Sequence, residues 1–121
     1  MLHLLKNGRY IQNNNQYWYK NDLYHREDGP AIIQADGVKI WMFEGQPHRD
    51  NGPAEIHPTG VKVWYQHGLR HRTHGPALVF PTFVKWFIRG EQIKSMRTFQ
   101  RLTGITDEEA TVLKLKYGGI E

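Results

Sequence analysis

Short β-rich runs flank Asp36-Gly37 and Thr59-Gly60, and apolar side chains alternate along the arms of each. Read as a two-residue turn with both central residues at positive φ, Asp36-Gly37 sets Ala35 opposite Val38, Ile33 opposite Ile40 and Ala31 opposite Met42. Thr59-Gly60 likewise sets Pro58 opposite Val61, Ile56 opposite Val63 and Ala54 opposite Tyr65. These pairs share one apolar face. The other face carries Gln34 with Lys39, Ile32 with Trp41, His57 with Lys62 and Glu55 with Trp64, and is mixed and basic. Such alternation predicts a one-sided antiparallel sheet. Further turns are expected at Asn21-Asp22, Glu44-Gly45, His67-Gly68 and Arg89-Gly90. Residues 2–93 therefore read as a twisted meander of successive hairpins.

The hairpins are copies of one another. His25-Arg-Glu-Asp-Gly-Pro-Ala31, His48-Arg-Asp-Asn-Gly-Pro-Ala54 and His71-Arg-Thr-His-Gly-Pro-Ala77 start 23 residues apart. Trp18, Trp41 and Trp64 keep that beat, and Trp86 comes one residue early. A fixed period of this size marks a stacked array of one small unit. The motif glycine is expected to supply an unusual φ and the proline to fix the start of a strand. Asn7-Gly8, four residues after Leu4 as Gly45 is four after Trp41, reads as an incomplete first copy. The third copy departs from the pattern: Phe80-Pro-Thr-Phe83 is one residue short and lacks glycine.

These motifs resemble the variant class of MORN repeats, of the His-Arg-Glu-Asp-Gly-Pro-Ala type, over residues 4–93. The resemblance implies a β-hairpin array and a bacteriophage or large-virus source. It implies scaffolding and binding, and no enzymatic activity.

After Ile93 the period changes. Ser95 is placed to cap a helix with Met96, Phe99 and Leu102 on its apolar side and Gly104 as its stop. Thr106-Asp-Glu-Glu109 is a capping-box sequence, Ala110, Leu113 and Tyr117 share a face, and Gly118-Gly119 ends the run. A helix-turn-helix reading fails on charge, because Asp107, Glu108 and Glu109 would repel DNA phosphates at the start of the second helix. The expected fold is mainly β: an antiparallel hairpin meander over 1–93 with an αα-hairpin cap over 94–121, in one structural domain.

Charge adds an asymmetry to this plan. The net charge is +4. Residues 61–101 carry Lys62, Arg70, Arg72, Lys85, Arg89, Lys94, Arg97 and Arg101 against Glu91 alone, whereas residues 1–60 are nearly balanced. Clustered charge of one sign attracts anions: an acidic protein face, nucleic acid or nucleotides. There is no cysteine, so disulfides play no part. The opening Met1-Leu-His-Leu-Leu5 is too short for a signal peptide and no run is long enough to span a bilayer, so a cytoplasmic protein is expected, in the host-cell cytoplasm if the source is viral.

Candidate chemistry is sparse. His25, His48 and His71 recur with the repeat, which sets them in successive layers and not around one metal; each is better explained as bonding a neighbouring turn. His67, His71 and His74 form the one close trio, without a Cys or carboxylate to complete a zinc site. The acids after His25-Arg26 become Asp50-Asn51 and then Thr73-His74, so no acid–base pair persists. No catalytic, metal or cofactor site is expected. The tryptophans with Lys39, Lys62 and Lys85 are read either as packing between hairpins or as stacking platforms for bases. The expected partner site comprises Lys62, Arg70, His71, Arg72, His74, Lys85, Arg89, Arg97 and Arg101. It would engage an acidic surface of a host or defence protein, as an inhibitor, with nucleic-acid or nucleotide binding through the same belt as the alternative.

Overall fold

The computed structural model describes residues 4–118 and 120. Leu2 and His3 of the expected array, and Gly119 of the expected stop, lie outside the described residues. The chain opens with β1 (Gly8–Gln12), β2 (Asn15–Lys20) and β3 (Leu23–Tyr24). The first full repeat supplies β4 (Ile32–Ile33), β5 (Lys39–Ile40), β6 (Met42–Phe43) and β7 (Gln46–Pro47). The second supplies β8 (Glu55–Ile56), β9 (Lys62–Val63), β10 (Tyr65–Gln66) and β11 (Leu69–Arg70). The third supplies β12 (Leu78–Val79), β13 (Val84–Ile88) and β14 (Glu91–Ile93), and the helices α1 (Met96–Thr103) and α2 (Asp107–Tyr117) close the chain.

Each repeat is bent into two parts. Its first two strands join an antiparallel meander in the order β1-β2-β4-β5-β8-β9-β12-β13-β14. Past the tryptophan, the chain leaves that ladder and folds into a short side ribbon, β6 with β7 and β10 with β11. The ribbon turns carry the left-handed pairs: Glu44 and Gly45 have φ of 48° and 82°, and His67 and Gly68 have 46° and 82°. These are the turns whose twist suits a two-residue hairpin. They stack, because Gly45 N–H donates to the Tyr24 carbonyl, Gly68 N–H to that of Pro47 and Gly90 N–H to that of Arg70.

The expected register of the main hairpins is off by one residue. Ile32 pairs with Ile40 and Ile33 with Lys39, and in the next repeat Glu55 pairs with Val63 and Ile56 with Lys62. The cause is the turn. Gly37 N–H donates to the Gln34 carbonyl and Gln34 N–H to that of Val38, so the loop has three residues, with Gly37 at φ +96° and Asp36 outside the positive-φ region. This is a type I turn followed by a left-handed bulge residue, not a two-residue turn. A Cβ at Gly37 would also lie 2.7 Å from Pro58 Cγ in the next turn. A one-residue slip exchanges the faces of a strand. Ile33, Lys39, Ile56, Lys62, Val79 and Val84 consequently share one cross-strand row, and Ile32, Ile40, Glu55, Val63, Leu78 and Lys85 share the other.

The third turn is shorter by one residue: Phe80 N–H donates to the Phe83 carbonyl at 2.9 Å across Pro81-Thr82. This deletion makes Trp86 early in sequence while keeping it in step in space.

Among the described residues three buried clusters form, and one of them joins the cap to the last hairpin. Trp86, Ile88, Ile93, Met96, Phe99, Ile105, Ala110 and Ile120 form one buried cluster. Ser95 Oγ accepts from Thr98 N–H, Gly104 ends α1 at φ 76°, and Thr106 with Glu109 forms the capping box of α2. Leu102 differs from expectation, standing 49% exposed on α1.

Candidate interaction surface

The motif residues build a clamp before they build any site. His25 Nδ1 accepts from Glu44 N–H, His48 Nδ1 from His67 N–H and His71 Nδ1 from Arg89 N–H, each at 2.9 Å. Each histidine thus holds the next ribbon turn, as expected from the repeat spacing. Because Nδ1 is an acceptor, Nε2 bears the proton in the neutral ring. That atom lies 3.5 Å from Glu27 Oε1 in the first copy and 3.1 Å from Asp50 Oδ1 in the second. The incomplete first copy enters the array at a different point from the one expected. Asn7 Oδ1 accepts from Asn21 N–H, and Lys6 carbonyl accepts from Asp22 N–H, so Asn7 stands where the other copies have histidine.

The motif arginines cover the tryptophans. Arg26, Arg49 and Arg72 place Cζ 3.9, 3.9 and 3.8 Å from the ring centroids of Trp18, Trp41 and Trp64. Their Nη1 atoms donate to the carbonyls of Pro30, Pro53 and Pro76 at 3.1 Å. The motif glycine makes room for this arrangement. A Cβ at Gly29 would lie 3.0 Å from Arg26 Cζ, and one at Gly75 would lie 2.7 Å from Arg72 Cζ. Gly29 and Gly75 have no positive φ; only Gly52 does, at +155°. The expected role of the motif glycine as a supplier of unusual φ is therefore replaced by a steric one. With a guanidinium on each ring, the covered tryptophan faces are not open platforms for bases.

Between successive motif loops lies a cleft of about 810 Å³, lined by Glu27, Asp28, Trp41, Phe43, His48 and Asp50 among others. A smaller one of about 360 Å³ follows, with Asp50, Gln66, His71, Thr73 and His74 in its wall. The larger of the two clefts thus lies at the acidic motif positions and away from the basic residues singled out by sequence. Its carboxylates serve the clamp: beside the two histidine contacts, Asp28 Oδ1 accepts from Arg26 Nε at 3.0 Å. Their shared offset within the motif was the sequence signal that could have placed them on one cleft.

The nine basic positions separate into four groups. His71 and Arg72 belong to the clamp. Burial, and then the charge of Arg89, hold the His71 pKa below its usual value. Arg72 also lies 5.9 Å from the Tyr117 ring. Burial acts to raise the Tyr117 pKa, but Arg72 and Lys116 outweigh it and the net shift is downward. Lys62 and Lys85 project from opposite faces, because the short third turn moves Lys85 into the row of Val63 while Lys62 shares the row of Val79 and Val84. Their spacing of 23 residues is not a spatial repeat. His74 meets the cap, with Nε2 3.9 Å from Glu109 Oε2. Its neighbour α2 opens with three acids, so loss of the motif carboxylates in the third copy removes like charge from this contact. Arg70, Arg89, Arg97 and Arg101 remain, all exposed. The first two are adjacent, since Gly90 N–H donates to the Arg70 carbonyl, and the last two are one turn apart on α1.

No protein family, curated protein or solved structure is found to match this chain. Among the described residues no group of three or more His, Asp or Glu is arranged to hold a metal ion, and no helix is long and apolar enough to cross a membrane.

Proposed function

We propose that this protein is a non-enzymatic binding module whose third repeat and cap engage an acidic surface on a protein partner. One observation carries the reading: Arg70, Arg89, Arg97 and Arg101 are exposed and make no ion pair among the described residues. Arg70 Cζ lies 5.2 Å from the Phe87 ring, a contact that leaves the edge of the guanidinium open. Guanidinium groups without an internal carboxylate are available to those of a partner, and their planar fork favours two-point contacts. The MORN-like motifs and the viral source they imply make a host or defence protein the proposed target, met in the host-cell cytoplasm, and inhibition the proposed outcome. That extension is by analogy.

The test is capture of a partner by the tagged chain, identification by mass spectrometry, and titration of the purified pair. Reversing Arg70, Arg89, Arg97 and Arg101 to Glu should weaken binding by at least about 100-fold, since rim and core charge pairs of this kind control affinity and on-rate. Matched reversal of Lys6, Arg9, Lys20 and Lys39 should change it by less than about 10-fold. Equal loss in both sets would leave only general charge and overturn the site. Displacement of the partner by single-stranded RNA at physiological salt would favour the nucleic-acid reading instead.

A further inference from the structure

The two ends of the sheet differ in what covers them. The far end finishes in β14 and the buried cluster under α1 and α2. The near end finishes in β1, whose five residues are all exposed, including Ile11 at 63% and Tyr10 at 41%. An uncovered strand edge is a template for another strand, and proteins usually blunt it with proline, a bulge or an inward charge. β1 has neither proline nor bulge; it pairs residue for residue with β2 from Gly8 with Tyr19 to Gln12 with Asn15. Its one charged side chain, Arg9, is turned back to Gln16 Oε1 at 2.9 and 3.1 Å.

We propose that β1 pairs with β1 of a second copy of this chain, antiparallel and centred on Tyr10. The hydrogen-bond alternation fixes that register. Asn13 and Asn14, both at positive φ, form the two-residue turn, so Gln12 and Asn15 are a hydrogen-bonded pair. Bonded and non-bonded pairs then alternate, so Gly8, Tyr10 and Gln12 bond inward to β2. The backbone groups of Arg9 and Ile11 point outward. A two-fold axis at Tyr10 joins Arg9 to Ile11 of the second copy and Ile11 to its Arg9, with every outward group of that stretch satisfied. Opposite residues carry no like charges, since each Arg9 faces an isoleucine. Tyr10 faces its own equivalent and extends the ring cluster of Tyr10, Tyr19, Tyr17 and Tyr24. The second copy, in preference to a foreign strand, is favoured by this self-complementary register. A two-fold contact uses the same edge on both copies, so it closes the assembly as a dimer and leaves no second β1 edge to extend a fibre.

The chain contains no cysteine, so single replacements report the register directly. A non-hydrogen-bonded pair brings Cα atoms to about 4.5 Å, within the roughly 4.4–6.8 Å range of disulfides. Tyr10→Cys should crosslink to a dimer under mild oxidation, whereas Arg9→Cys and Gln12→Cys should remain largely uncrosslinked. The unmodified chain should sediment at micromolar concentration with twice the 14.2 kDa chain mass. Ile11→Pro removes only an outward N–H, and should return it to monomer with an unchanged far-ultraviolet spectrum. A monomeric wild-type chain would overturn the proposal. So would a dimer that crosslinks equally at positions 9, 10 and 12, or one that survives Ile11→Pro.

Discussion

Three tryptophans of the array lie under an arginine, and the fourth lies under a phenylalanine. Trp18, Trp41 and Trp64 stay half-buried beneath Arg26, Arg49 and Arg72, whereas Trp86 is 2% exposed, with Phe99 edge-on at 4.9 Å and Tyr117 at 6.0 Å. The position that would hold the next motif arginine, eight residues after the tryptophan, is Lys94, which is exposed. The cap thus occupies the place of a missing fourth motif. A polar cover suits an interior repeat, whose loop also lines a cleft. An apolar cover suits the last one, which has no successor to shield it.

The largest way to break the comparison is at the apolar cover. Phe99→Ala should destabilise the chain by about 3–5 kcal/mol, the usual cost of emptying a buried aromatic site. Chemical denaturation would measure it, and a loss under about 1 kcal/mol would mean that the cap is not a core element. The polar cover should weigh less. Arg26→Ala should cost about 1–3 kcal/mol, combining a cation–π contact with the charge-assisted hydrogen bonds to the Pro30 carbonyl and the exposed Asp28. Gly29→Ala should cost a similar amount, because its Cβ displaces the same guanidinium. The double variant should be little worse than either single one; additive losses would show that the glycine acts otherwise.

The smallest effect concerns acid. Protonation of His71 would turn its Nδ1 from acceptor to donor against Arg89 N–H. Its folded pKa lies below the unfolded value of about 6.5. The unfolded chain therefore binds more protons in that window, and stability rises with pH through it. The contribution of His71 is complete above about pH 6.5 and is lost as pH falls towards the folded pKa. His71→Asn, which copies the Asn7 arrangement, should keep the pH 7.5 melting temperature and flatten its decline to pH 5. An unchanged slope would place the acid sensitivity elsewhere.

The repeat, its second set of turns, the histidine bonds and both helix caps were legible because each rests on local spacing or on a short capping sequence. The register was not. Asp36-Gly37 has the composition of a two-residue turn, and only the bonds of Gln34 with Val38 and Gly37 decide for three residues. That slip moved Ile32 and Ile33 to each other's expected faces. The basic belt was legible as composition and not as a surface, because the missing residue between Phe80 and Phe83 reverses the direction of Lys85 relative to Lys62. The roles of Arg72 and His71 were hidden for a related reason: charge in the sequence does not reveal which cations an aromatic ring or a turn has already engaged.

Every bond of the histidine clamp joins one repeat to the next, and none skips a neighbour. Residues 25–47 could therefore be cut out as a block, joining Tyr24 to His48 with each contact inherited by its counterpart. The chain would lose two strands of the main ladder, shortening the span from β1 to the cap by about 9.5 Å at roughly 4.7–4.9 Å per strand. Reinsertion would restore it. The separation between the free edge at one end and the arginines at the other is thus set by counting repeats, as the marks on a ruler set a length.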